Sequence, residues 1–305
     1  GRYHWNKRTE EGLKTAVKYY REAIDKDPAY ALAYAGLAEC YALFSTYGVL
    51  PAKEAFPWAE KAALDALQLD ERIAEAHATL GVIKYEFNWD WEGADREFKR
   101  ALELNPNYAT AHQWYGGYLI ALGRFDEGIR EIRRAQELDP LSPIINASVG
   151  WFYYYARDYD KAIEEGRKAL SLEGNSGIAH YFLAQSYIQK RMYTEAIAEL
   201  HKAITLAPDA DTRALLVQAY TLAGQKDNAR KMLDELNGLA KRAYVPPFTL
   251  GLAYLGIGDK DRAFEYLEQA CEERSPNLVG LKTDPTFDHL RSDPRFQNLY
   301  RRVRF

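Results

Sequence analysis

Apolar residues fall at helical spacing in segment after segment of this chain, and short polar turns separate the segments in pairs. The stretch from Asp139 to Pro208 shows the register most cleanly. Val149, Gly150 and Tyr153 mark one predicted helix, a turn follows at Arg157-Asp158-Tyr159-Asp160, and Ala162, Gly166 and Ala169 mark a second helix. Leu183, Ala184 and Tyr187, a turn at Arg191, and then Ala196, Leu200 and Ala203 repeat the arrangement up to Pro208. Small residues extend the pattern to the whole sequence. Ala16, Ala59, Ala94, Gly128, Ala162, Ala196, Ala229 and Ala263 are separated by 43, 35, 34, 34, 34, 33 and 34 residues. Ala23, Ala66, Ala101, Ala135, Ala169, Ala203, Leu236 and Ala270 follow seven positions behind. This period predicts an all-α solenoid of stacked helix-turn-helix units, each burying its apolar face against its neighbours.

Small residues at the crossing points allow helices to approach to about 8 Å. Pro28, Pro106, Pro140 and Pro208 stop the second helix in register, because proline lacks the donor that would continue it; Glu71, Gly174 and Lys241 are departures. The motif Tyr34-x-x-Leu37-Ala38-x-x-Tyr41, with Leu80-Gly81, Tyr115-Gly116, Leu183-Ala184 plus Tyr187, and Leu250-Gly251 plus Tyr254, resembles the tetratricopeptide repeat. That resemblance covers about residues 1–273 and implies a right-handed α-solenoid of about eight units: 1–30, 31–73, 74–108, 109–142, 143–176, 177–209, 210–243 and 244–274. The array is therefore expected over 1–274, with an incomplete first unit and a capping segment over 275–305.

Two units break the register. The second carries nine extra residues, expected as an extended loop over about 45–57, and the third carries Phe87-Asn88-Trp89-Asp90-Trp91 in its inter-helix turn. These aromatics either pack on the neighbouring ridge or form a rim for a ligand. Gly1 falls inside the first helix of the first unit, so a missing upstream segment or a covering partner is expected there. At the other end, Asp284-Pro285 and Asp293-Pro294 each place an N-cap before a first-turn proline, which predicts short helices from about 285 and 294. Residues 273–296, and the opening Gly1 to Thr9, also resemble tetratricopeptide regions of bacterial signalling proteins, in which the repeats follow a kinase, a cyclase or a winged-helix domain.

The 305 residues carry a net charge of −4, so no nucleic-acid partner is expected from overall charge. No apolar run approaches the roughly 20 residues of a membrane span, and no direct membrane contact is expected. Cys40 and Cys271 stand at opposite ends of the array and suit a reducing compartment. A cytoplasmic location is expected, or a periplasmic one if a membrane segment precedes Gly1.

The sequence offers little chemistry. His77, His112 and His180 occupy one repeat position, where a shared packing role is expected because equivalent positions lie too far apart to hold one ion. No HExxH, CxxC, GxSxG or phosphate-binding loop occurs, and Asn146-Ala-Ser148 falls on a predicted helix. No catalytic residue, metal or cofactor is expected. In the family that the repeat resembles, the first helix of each unit lines a concave groove that binds peptides. Register then places Tyr85, Glu86, Gln113, Trp114, Gly117, Ala147, Trp151, Tyr154, Tyr155, Tyr181, Phe182, Gln185 and Gln189 on that face. These aromatics either bind a partner segment or fill the inside of a tight superhelix. The Lys-Asn-Arg clamp that holds acidic chaperone tails is missing, since Ala, Trp, Gln, Tyr and Ile stand at the matching positions. The expected role is a scaffold for a protein or peptide partner. The alternatives are self-assembly through the first unit, giving a homo-oligomer or polymer, and the regulatory half of a signalling protein.

Overall fold

The computed structural model describes residues 1–305, which form helices and turns without a strand. The helices come in eight pairs. The first four are α1 (Arg2–Trp5) with α2 (Glu10–Lys26), α3 (Ala31–Thr46) with α4 (Ala52–Leu69), α5 (Ala74–Ile83) with α6 (Trp91–Leu104), and α7 (Ala109–Ala121) with α8 (Phe125–Leu138). The next four are α9 (Pro143–Tyr155) with α10 (Tyr159–Leu172), α11 (Gly177–Gln189) with α12 (Tyr193–Leu206), α13 (Ala210–Leu222) with α14 (Lys226–Ala240), and α15 (Pro247–Gly256) with α16 (Lys260–Glu272). A π-helical turn, Lys84–Asn88, extends α5. Two 3-10 turns, Pro276–Lys282 and Pro285–Leu290, lead to α17 (Pro294–Val303). No helix is long and apolar enough to cross a membrane.

From α3 to α15 the first helix of each pair packs on the first helix of the next, so these helices form the inner layer of a solenoid. Their composition fits that place. The inner α11, GIAHYFLAQSYIQ, is largely apolar all round, whereas the outer α8, FDEGIREIRRAQEL, buries one stripe of Gly128, Ile132 and Ala135. The small-residue series sits at the crossings, with Ala59, Ala94, Ala196 and Ala263 fully buried. At Gly150 a Cβ atom would lie 2.9 Å from the Ala162 carbonyl oxygen, so the α9–α10 crossing admits nothing larger.

One polar position ties five of the inner helices, α3 to α11, to the turn before them. Tyr34 Oη donates to the Pro28 carbonyl at 3.3 Å, and Asn146 Nδ2 to the Pro140 carbonyl at 2.9 Å. Nε2 of His77, His112 and His180 lies 3.2, 3.0 and 3.4 Å from the carbonyls of Glu71, Pro106 and Gly174. Their Nδ1 atoms face Glu97 at 2.7 Å, Glu131 at 2.6 Å, and Glu199. The histidines therefore staple helices, and Asn146, only 5% exposed, is a member of the same series.

The turn within each pair has its own rule. Arg8, Gly48, Trp89, Gly123, Arg157, Arg191, Gly224 and Gly258 all adopt positive φ, one in each unit. That conformation ends a helix sharply and favours glycine. Arg8, Trp89, Arg157 and Arg191 adopt it against preference, and Trp89 and Arg157 touch the far end of the chain.

The solenoid closes on itself. A Cβ at Gly48 would lie 3.4 Å from the Pro246 ring, so the turn of unit two meets the start of α15. Beyond α16 the chain runs over the turns of units three to five. Arg274 lies 3.9 Å above the Trp89 ring, and Trp91 Nε1 donates to the Val303 carbonyl at 3.2 Å while its ring meets Phe305. Arg157 pairs with Asp288 at 2.9 Å. Leu278, Leu281, Phe287, Leu290, Phe296, Leu299 and Val303 are buried in one cluster with Trp89, Phe248 and Phe264. Each contributes about 1.5–3 kcal/mol of apolar burial before ordering costs. The Asp284 and Asp293 side chains cap their elements by accepting from Thr286 and Arg295 backbone N–H groups.

The insertion in unit two differs from the expected loop. Only residues 47–51 lie between the helices, and the other extra residues lengthen α3 to 16 and α4 to 18 residues, against 13 and 14 in units four to six. Ala52, Ala55, Phe56 and Ala59 give the start of α4 an apolar stripe that is better buried than looped out.

Glycine substitutions separate turn strain from closure. Trp89→Gly should lower stability by about 3–5 kcal/mol, the cost of a lost core aromatic, although glycine suits its φ of 57°. Arg191→Gly, exposed at φ 59°, should stay within about 1 kcal/mol of the parent. Urea denaturation measures both, and equally small effects would contradict the closure.

Candidate functional site

The inner helices line the inside of the solenoid, where the returning C-terminal segment also packs, and side chains of distant units meet there. The Trp5 and Trp114 rings lie 6.3 Å apart, linking the first unit to the fourth. Arg2 Nη1 stands 2.7 Å from Glu39 Oε2, and Tyr108 Oη donates to the other oxygen of the same carboxylate.

The expected groove residues divide into two groups. Tyr85, Tyr154 and Tyr155 are buried in the interior. Tyr85, 6% exposed, packs among Trp91, Phe98 and Tyr118 and donates to Glu86 Oε1 at 2.9 Å. Tyr154 donates to Asp284 Oδ1 at 3.1 Å and faces Thr286 Oγ1. A Cβ on Gly280 would lie 3.4 Å from the Tyr155 hydroxyl, so the backbone there packs directly against this tyrosine. The chain beyond α16 covers Tyr154 and Tyr155, while Trp91, Phe98 and Tyr118 enclose Tyr85. Nothing in their local sequence marks that long-range contact.

The second group stays partly open. Trp151 and Phe182 stack face to face at 4.9 Å, with Tyr181 edge-on to Phe182 at 5.8 Å. Trp114, Trp151, Tyr181, Phe182 and Gln189 are half-buried. Gln113 and Gln185 are mostly buried and incompletely bonded. Gln113 Nε2 donates to Ser148 Oγ at 3.1 Å, but Oε1 of both glutamines lacks a hydrogen-bond partner. Glu86 Oε2, the Thr283 hydroxyl and the indole N–H groups of Trp5 and Trp89 are likewise buried without partners. Native structures leave few such groups, and an unpaired one costs about 1–3 kcal/mol.

Two acidic groups take places that the repeat register does not reveal. Asp211, in the first turn of α13, accepts from Thr249 Oγ1, and burial with the Asp209 charge pushes its carboxyl up to about 6. Burial lifts the Tyr181 hydroxyl well above its usual range, and the charges of Asp211, Asp209 and Asp284 add to the effect. Asp284 was legible in sequence as a cap, but its place beside Tyr154 was not. No three His, Cys, Asp or Glu side chains converge at metal-binding distance.

Comparisons with known proteins bear on this geometry. Models described as tetratricopeptide repeat match residues 88–143, 177–210 and 248–277. The chain carries tetratricopeptide repeats. The fold is similar to that of Pseudomonas aeruginosa pilF, at a TM-score of 0.53 and 20% identity over 78% of this chain and 98% of that one. It is similar to yeast Tom70 at a TM-score of 0.56 and 18% identity, over 95% of this chain and 62% of that one. A stretch of 102 residues is 34% identical to the human protein O-mannosyl-transferase TMTC3, covering 33% of this chain and 10% of that protein. The matched stretch thus spans about a tenth of that curated relative's length.

Glu86, in the turn Lys84–Asn88, gives the fold a pH signature. Burial pushes its carboxyl from the ordinary 4.5 up to about 7, against the Tyr85 hydrogen bond. The folded chain therefore holds a proton that the unfolded chain releases between those values. Stability from this group is complete below pH 4.5 and is lost as pH rises through 7, by up to roughly 3 kcal/mol. Glu86→Gln should remove that part of the slope and raise the urea midpoint at pH 8. An unchanged pH profile would contradict the burial of this carboxylate.

Proposed function

We propose that this chain is a non-catalytic protein-interaction scaffold that binds a peptide or protein segment along the inner face of units four to six, extended by α13. The observation that carries this reading is the half-buried Trp151–Phe182 stack beside Tyr181. Aromatic surfaces of this kind give large contact area at small entropic cost. The histidines support a non-catalytic reading, because His77, His112 and His180 each face a glutamate and a turn carbonyl. The likeness to the mannosyl-transferase is confined to a third of this chain, and no transferase activity is assigned from it.

Trp151→Ala and Tyr181→Ala test the groove directly. Dodecapeptides selected from a displayed random library should bind each variant roughly tenfold more weakly, with the far-UV circular dichroism unchanged. Unchanged affinity would remove the inner face as the site.

A second reading rests on the first unit, where Tyr3 is 72% and Tyr19 is 47% exposed and His4 stacks on Tyr19 at 5.2 Å. Exposed aromatics at a solenoid end suit self-association. Light scattering should show mass rising with concentration, and Tyr3→Ser with Tyr19→Ser should abolish the rise. A strict monomer at all concentrations would exclude this reading.

A further inference from the structure

The short helix α1 does not join the inner layer as the later inner helices do. From α3 onward those helices pack on one another, whereas α1 packs chiefly on α2 and reaches units two and four through its side chains. Arg2 pairs with Glu39 at 2.7 Å, and the Trp5 ring lies 6.3 Å from that of Trp114. The Arg2 and Arg8 guanidinium groups stand over the Trp5 ring at 4.5 and 3.5 Å. Glu39 is fully buried and also accepts from the Tyr108 hydroxyl at the start of unit four. Helix α1 thus lies against units two to four as a bound segment would. The fit is incomplete. Glu39 Oε2 meets Arg2 as a charge but accepts no hydrogen bond, and Trp5 Nε1 and Arg8 Nε are buried without partners. A single helical turn has no stability of its own, so α1 stays in place through tertiary contacts, and these leave polar groups unpaired.

We infer that the inner face of units two to four, around Glu39, Tyr108 and Trp114, is a docking surface that α1 covers in cis. Its partner is a segment of another polypeptide with an arginine three residues before a tryptophan, the spacing of Arg2 and Trp5. The chemistry follows from the residues that now hold α1. Glu39 is a buried carboxylate that an arginine answers in charge, and a guanidinium free to aim its donors also completes the hydrogen bonding of Oε2. Trp114 offers an aromatic face to the tryptophan, which sits one helical turn from the arginine. The surface is closed while α1 occupies it, so a partner must displace α1. That intramolecular competitor acts at an effective concentration on the order of millimolar. Partner affinity is therefore set by how often α1 is released, and its release is the switch. The surface meets the groove proposed above at Trp114 and does not depend on it.

The test uses the full chain and a synthetic peptide with the sequence of Gly1 to Thr9. Arg2→Ala with Trp5→Ala removes the covering side chains and should raise affinity for this peptide at least about tenfold over the parent chain. In that double variant, Glu39→Gln or Trp114→Ala should cancel the gain. Citrulline in place of the peptide's first arginine should cancel it too. Trp5 belongs to the apolar core of the first units, so a second measurement uses the parent chain itself. With the peptide in excess, the amides of Tyr3 to Arg8 should exchange faster while those of α3 and α7 stay protected. Equal affinity of parent and double variant, or exchange in α1 that the peptide leaves unchanged, would overturn the inference. A double variant that binds the parent chain but not the free peptide would assign the surface to a second copy and overturn it as well. A gain that survives Glu39→Gln and Trp114→Ala but is lost on Trp151→Ala would place the peptide in the groove and overturn this inference alone.

Discussion

Closure of the solenoid onto its own early turns governs the rest of this molecule. The Arg274 guanidinium on the Trp89 ring, the Trp91 indole on the Val303 carbonyl and the Arg157–Asp288 pair join parts of the chain more than 100 residues apart. These contacts bring the segment after α16 over units three to five, where it covers Tyr154 and Tyr155. A repeat array ordinarily depends on nearest-neighbour packing alone. Here long-range apolar burial adds to it, and it decides which stretch of the inner face stays open.

The two irregular units then acquire a common reason. The turn of unit two meets Pro246, and the aromatic turn of unit three meets Arg274, α17 and the apolar cluster around Leu278 and Phe287. Both stand where the chain returns after its circuit. Trp89 and Arg157 share the left-handed turn position of every unit, and their side chains reach the same seam.

Much of this was legible in sequence, and the boundary of legibility is physical. The period of small residues located the helix crossings because close approach tolerates only Gly or Ala, as Gly150 against the Ala162 carbonyl shows. Asp284 and Asp293 announced their caps because a cap is a local hydrogen bond. The insertion of unit two was misjudged in extent, since extra residues can lengthen helices as readily as loops. The candidate site was half legible. Register placed Trp151, Tyr181, Phe182 and Gln185 on the inner layer, but it could not show that Asp284 bonds Tyr154 or that Tyr154 is covered. Those facts depend on where distant units meet, and no local pattern encodes that.

The inner surface left open by closure is the feature on which function turns. Hydrogen exchange of the full chain with and without a selected peptide tests it most directly. Binding at this surface should slow exchange in α7, α9, α11 and the first turn of α13, while α8, α10, α12 and α14 remain as they were. Protection confined to the outer helices, or spread across the whole chain, would contradict the account.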